Sequence, residues 1–186
     1  MTVETVNPAT GKVEYTLELM DSATVESILA ASASAFPPWS ARPLAERGGL
    51  LRKVGPQLRS RRDDIQKIMT AEMGKLRKEA LAEIDKCADA CDYYAEHAAG
   101  YLQDQPIATE ASNSYVRFEP IGCVLAVMPW NFPIWQVFRF LAPALMAGNV
   151  AVLKHASNVP RCADIIAGAL RDAESPRAQP RFVIGG

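Results

Sequence analysis

The last third of the chain alternates strand, helix, strand, helix, strand, and that order constrains the fold more than any other feature. Residues 121–128, IGCVLAVM, form an uninterrupted apolar run, as expected of a strand covered on both faces. Ile134, Val137, Phe138, Leu141, Ala142 and Leu145 then recur at helical spacing until Gly148 closes the pattern. Residues 150–153 read as a second short strand, Asn158 can cap a further helix carrying Ile165, Ile166 and Leu170, and the terminal FVIGG reads as a third strand. This alternation predicts an α/β fold with a parallel sheet and right-handed crossovers. In such sheets ligands bind beyond the carboxyl ends of the strands. Pro129-Trp130-Asn131 follows the first strand and Lys154-His155-Ala156-Ser157 the second. Both segments therefore belong on one rim if the two strands are neighbours.

Upstream, the pattern is helical. A turn around Asn7-Pro8 and Thr10-Gly11 separates two short strands, and Asp21 or Ser22 can cap a helix that carries Val25, Ile28, Leu29, Ser32 and Phe36. Pro37-Pro38 is expected to stop it. A second helix starts near Pro43, with a kink or break expected at Gly55-Pro56 and an end at Gly74. Leu81, Ile84, Ala88, Cys91, Ala95 and Ala98 mark one side of a long helix over about 77–100, and residues 114–119, SYVRFE, alternate like a strand.

Composition closes off several function classes. A net charge of −1 provides no basic excess for nucleic acid or an anionic membrane, and Arg59, Arg61 and Arg62 run straight into Asp63 and Asp64, as on a solvated helix face. The most apolar stretch is broken by Pro129, Asn131, Pro133, Arg139 and Pro143, so no membrane partner is expected. The first residues lack the pattern of a secretory signal. Four cysteines without close pairing suit a reducing cytoplasm. Cys87 and Cys91 lie four apart on one helix, but no cluster completes a metal site, and Cys123 and Cys162 read as small core residues. Neither GxGxxG nor GxxxxGK[ST] is present.

Two residues carry competing readings. Asn131, held in a proline-stiffened turn, is either a neutral donor facing a developing oxyanion or the N-cap of the helix that follows. Lys154, at the end of a buried strand, either meets a nucleotide ribose or phosphate or snorkels to solvent. Ser157 can belong to the loop or cap the next helix.

Residues 119–160, EPIGCVLAVMPWNFPIWQVFRFLAPALMAGNVAVLKHASNVP, resemble the aldehyde dehydrogenase superfamily. PWNFP, the PALMAGN turn and the VLK strand end occur in order at family spacing, TAEMGKLRKEALAEI upstream matches the family's helical region, and the resemblance runs from about residue 5 to 172. The KHASNVP version is most similar to the NADP-dependent succinate-semialdehyde dehydrogenase branch. The resemblance implies a partial Rossmann-like sheet with flanking helices. Residues 1–105 would form the helical part of the cofactor-binding domain, 106–120 the strands of an oligomerisation arm, and 121–186 the start of the NAD(P)-binding unit. Asn131 matches the asparagine that helps stabilise the thiohemiacetal oxyanion, and Trp130 and Asn131 match positions at the nicotinamide end of the cofactor. In the segment Lys154, His155, Ala156 and Ser157, Lys154 matches the lysine on the adenosine ribose. Ser157 stands where many members have a glutamate that would repel a 2′-phosphate, which implies NADP in preference to NAD. His155 and Ala156 are assigned with Lys154 and Ser157 to the cofactor-binding segment; His155 replaces a more common proline, and no role beyond backbone positioning is expected of its side chain.

Family chemistry also requires a cysteine nucleophile and a general-base glutamate that come later in other members. None of the four cysteines matches that nucleophile, and AESPRAQPRFVIGG departs from the usual continuation. The expectation is a homo-oligomeric cytoplasmic enzyme oxidising succinate semialdehyde or a similar small aldehyde, of which the 186 residues supply only the front, inactive and poorly soluble in isolation. The alternative is a non-catalytic chain that keeps a nucleotide-binding or subunit-interaction surface.

Overall fold

A computed structural model describes residues 2–173 and 183–185. β1 (Thr2–Val6) and β2 (Val13–Glu18) form an antiparallel hairpin, followed by α1 (Ser22–Ser40), α2 (Leu44–Ser60), α3 (Arg62–Met73) and α4 (Arg77–Tyr101). A two-residue ladder joins β3 (Gln105–Pro106) to β4 (Tyr115–Val116). β5 (Cys123–Val127), α5 (Trp135–Met146), β6 (Val150–Lys154), α6 (Pro160–Ala173) and β7 (Val183–Gly185) complete the chain, with β5, β6 and β7 parallel and in that order. The expected alternation and the FVIGG strand are thus present. Residues 174–182, the AESPRAQPR stretch beyond Ala173 together with Phe182, lie outside the described residues, as does Gly186.

Several local expectations are corrected. α1 is capped by Asp21, whose Oδ1 accepts from the Thr24 amide at 2.7 Å, but the helix runs through Pro37 and Pro38 to Ser40. The prolines occupy its last turn, where Trp39 is buried and its indole nitrogen donates to the Leu145 carbonyl at 3.2 Å. That tertiary anchor outweighs the local cost of proline. Val25 and Leu29, which follow its helical spacing, are 42% and 44% exposed.

α2 does not break at Gly55-Pro56; the interruption lies at Arg61, between Ser60 and Arg62. The glycines serve packing instead. A Cβ on Gly48 would lie 3.1 Å from the Ala95 carbonyl, and one on Gly55 would lie 3.4 Å from the Ala88 carbonyl. Gly48 and Gly55 face Ala95 and Ala88 in antiparallel order, so small residues on both helices let α2 and α4 approach closely. Beyond α3, Gly74 adopts φ +71° and its amide returns to the Thr70 carbonyl, a left-handed C-cap that only glycine takes without strain.

β5 is not covered on both faces. Val124 and Ala126 turn inward, while Ile121, Leu125 and Val127 are 85%, 64% and 67% exposed and Cys123 is exposed rather than core. β5 is an edge strand, and its outer face has no helix over it among the described residues. The fully apolar, doubly covered strand is its neighbour β6, buried from Val150 to Leu153. Of the SYVRFE stretch, only Tyr115 and Val116 enter a ladder.

The crossover helices are terminated by side chains from the helical layer. Glu83 Oε1 of α4 accepts from the amides of Ile134 and Trp135 at 2.9 and 2.8 Å, at the start of α5. Glu72 of α3 accepts from Arg161 and Cys162 at 2.8 and 3.2 Å, at the start of α6. Neither Asn131 nor Asn158 supplies these acceptors. At the other end of α5, Trp39 reaches Leu145 and the buried Arg47 donates from Nε to the Met146 carbonyl at 3.1 Å. An anion at the amino end and a cation at the carboxyl end both complement the helix dipole.

Candidate active site

The rim is built by register. β5 and β6 pair in parallel with Val127 opposite Lys154, and the Met128 amide donates to the Lys154 carbonyl at 3.1 Å. Residues 129–134 and 154–157 therefore leave the sheet side by side from its carboxyl edge. At the opposite edge, Asn149 Oδ1 accepts from the amides of Ile121 and Gly122 at 2.7 and 3.2 Å, fixing where β5 begins relative to β6.

Asn131 is exposed. Its Oδ1 accepts from the Phe132 amide at 3.1 Å, and its backbone carbonyl accepts from Lys75 Nζ at 3.1 Å. With both of its acceptors engaged inside the protein, the side-chain NH₂ is what the residue presents outward. The capping that would have occupied Asn131 is performed by Glu83. Trp130 and Phe132 flank it at 50% and 45% exposure. An open cavity of about 320 Å³ lies beside the turn, lined by Glu79, Ala82, Glu83, Lys86, Phe132 and Trp135, with the Lys86 ammonium 4.0 Å from the Trp135 ring centroid.

On the other half of the rim, Lys154 and Ser157 are exposed and Ala156 is partly buried. With Pro160 and the hairpin residues Val3, Leu17 and Leu19 they border a concavity of about 80 Å³. A cation and a hydroxyl at its edge suit a ribose or phosphate oxygen.

His155, assigned with them to cofactor contact, is corrected: it is 2% exposed, and its ring lies beneath the rim. Nε2 donates to the Pro133 carbonyl at 2.7 Å and Nδ1 accepts from the Ala156 amide at 2.8 Å, which fixes the tautomer and leaves the ring no donor or acceptor for a ligand. Burial holds its pKa below the ordinary 6.5. Its side chain ties the end of β6 to the proline turn, a definite form of the backbone positioning expected of it.

Lys75 and Glu83 were not singled out in the sequence. They form an ion pair with side chains only 4% and 1% exposed, directly under the Asn131 turn. A signal existed: Glu83 falls on the buried stripe of α4 between Ala80 and Cys87, where an unpartnered carboxylate would be costly.

The cysteines do not supply a thiolate here. Burial pushes Cys87 and Cys162 well above the usual thiol range and Cys91 up to about 12. Cys123 opens β5 at its amino end, four residues and roughly 13 Å from the rim at 3.3 Å per residue. Among the described residues, no three His, Cys, Asp or Glu side chains gather as a metal ion would require, and no helix is long and apolar enough to cross a membrane.

The parallel sheet with its Rossmann-like crossover collects polar groups at the carboxyl edge, where proteins of the α/β class hold their ligands. The sequence matches the profile of the aldehyde dehydrogenase family over residues 1–186, and the chain belongs to that family. It is 48% identical, over its whole length, to a probable NADP-dependent succinate-semialdehyde dehydrogenase of Synechocystis sp., of which it spans 41%. It is 40% identical over 92% of its length to the NAD(P)-dependent succinate semialdehyde dehydrogenase Sad of Escherichia coli, of which it spans 37%. The crystal structure of succinic semialdehyde dehydrogenase from Streptococcus pyogenes with NADP+ superposes with a TM-score of 0.91 at 36% identity, covering 98% of this chain and 40% of that one. The chain thus spans about two fifths of the length of these relatives.

Proposed function

We propose that the chain provides the oxyanion-donor turn and the nucleotide edge of an NADP-dependent dehydrogenase that oxidises succinate semialdehyde, or a similar small aldehyde, to the acid in the cytoplasm. The observation that carries this reading is the state of Asn131. Both acceptors are tied down, its amide donor is presented, and it shares a rim with Lys154 and Ser157. A preorganised neutral donor of this kind stabilises charge that develops on a carbonyl oxygen. NADP, when bound, would accept the hydride; Lys154 and Ser157 would hold its ribose end and Trp130 would flank the nicotinamide. In this reading the nucleophile and the general base come from outside these 186 residues, in keeping with the burial of Cys87, Cys91 and Cys162. The ladder of β3 and β4 leaves Ile107, Tyr115, Val116 and Phe118 exposed, which supports assigning residues 106–120 to subunit assembly.

The cofactor half of the reading is tested at Ser157. Introducing a carboxylate by Ser157→Glu places a negative charge where the 2′-phosphate would lie, and selectivity should move from NADP towards NAD. Equal NADP/NAD selectivity in the variant and the parent protein would overturn the assignment.

A further inference from the structure

We infer that Lys75 and Glu83 act together as a positioning pair for Asn131, an inference that rests on the reading of Asn131 as the oxyanion donor. Between them they hold nearly every residue of the turn. Lys75 Nζ donates to the Asn131 carbonyl at 3.1 Å and lies 3.8 Å from the centroid of the Phe132 ring. Glu83 pairs with Lys75 and accepts the amides of Ile134 and Trp135. Pro133 is held from the other side by His155.

Two features distinguish this from ordinary capping. A helix start needs only a short neutral acceptor, whereas a fully desolvated ion pair is expensive and makes a poor stability device. In addition, the ammonium spends one of its hydrogen bonds on Asn131 itself, outside any regular element. By occupying the Asn131 carbonyl, Lys75 fixes the peptide plane from which the side-chain amide projects. The lysine is itself anchored: Gln66 Nε2 donates to Thr70 Oγ1 at 2.9 Å, and Thr70 Oγ1 donates to the Lys75 carbonyl at 2.7 Å. Neither Lys75 nor Glu83 needs to touch a reacting atom; their effect runs through Asn131.

The test is a double-mutant cycle on the expressed protein. Lys75→Met alone would strand a buried carboxylate, so the charges are removed together in Lys75→Met/Glu83→Gln, where the glutamine can still accept the two amides. With Asn131 intact, kcat for aldehyde oxidation should fall roughly 10- to 100-fold, with KM for NADP unchanged. In the Asn131→Ala background the same pair of substitutions should cost less than about twofold, because the group being positioned is gone. Equal losses in both backgrounds, or no loss in either, would overturn the inference. Where these residues are expressed without the nucleophile, no turnover is expected and the positioning is read from amide exchange; failure of the parent protein to bind NADP would instead count against the dehydrogenase reading. The Phe132, Ile134 and Trp135 amides should exchange at least about 10-fold faster in Lys75→Met/Glu83→Gln, given that local opening sets protection. Unchanged exchange at all three would overturn the inference.

Discussion

His155 shows how one residue can be read correctly in position and incorrectly in role. The sequence places it after a strand, between a lysine and a serine proposed to face a ligand, and nothing local reveals that its ring turns inward to Pro133. Both ring nitrogens are satisfied only while the ring is neutral, and burial lowers its folded pKa below 6.5. The unfolded chain therefore binds a proton before the folded chain does. Stability from this group is complete above about pH 6.5 and declines as pH falls towards the folded value. Glu72 runs the other way. Burial raises its folded pKa above 4.5, so its contribution is complete below that pH and is lost as pH rises through the folded value. The two can be separated by comparing urea midpoints of the parent protein and His155→Gln between pH 7.5 and 5.5. The gap should narrow on acidification, and a constant gap would show that the ring does not titrate as described. That Asn131, Lys154 and Ser157 leave the sheet at one edge was legible because strand ends are local. Lys75, Glu83 and Asn149 were not, because the backbone groups their side chains hold lie 27 to 56 residues away in sequence.

At the level of elements, the strand–helix order was readable because apolar period and turn residues agreed from residue 121 onward. The errors cluster where packing overrides local preference. Pro37, Pro38, Gly55 and Pro56 all read as breakers, yet α1 and α2 continue through them because Trp39 and the α2–α4 contact hold those turns in place. The exposed outer face of β5 was misread for a related reason: an all-apolar run looks the same whether it is central or at an edge. The close approach of α2 and α4 predicts a sharp size limit. Gly48→Val would push a branched side chain against the Ala95 carbonyl, which a Cβ alone approaches to 3.1 Å, and should cost about 2 kcal/mol. For a chain of this size that corresponds to a fall in Tm of roughly 4–8 °C. A calorimetric Tm equal to that of the parent protein would show that the two helices can part without penalty.

For the molecule as a whole, the exposed apolar row of Ile121, just before β5, with Leu125 and Val127 on it departs from what a settled surface should show. Apolar side chains in a row on an unpaired edge strand favour association with another surface. The chain alone should self-associate at micromolar concentration, and Leu125→Lys/Val127→Lys should shift it towards a monomer by light scattering; identical scattering from both proteins would remove that face as the cause. The helical layer and the sheet, although readable as separate stretches of sequence, are joined at the ends of α5 and α6 by Glu83, Glu72, Trp39 and Arg47. Severing the chain near residue 105 would thus leave both crossovers with bare peptide groups at their tips, so the front half works as a scaffold that finishes the second half and cannot be exchanged for another module as a unit.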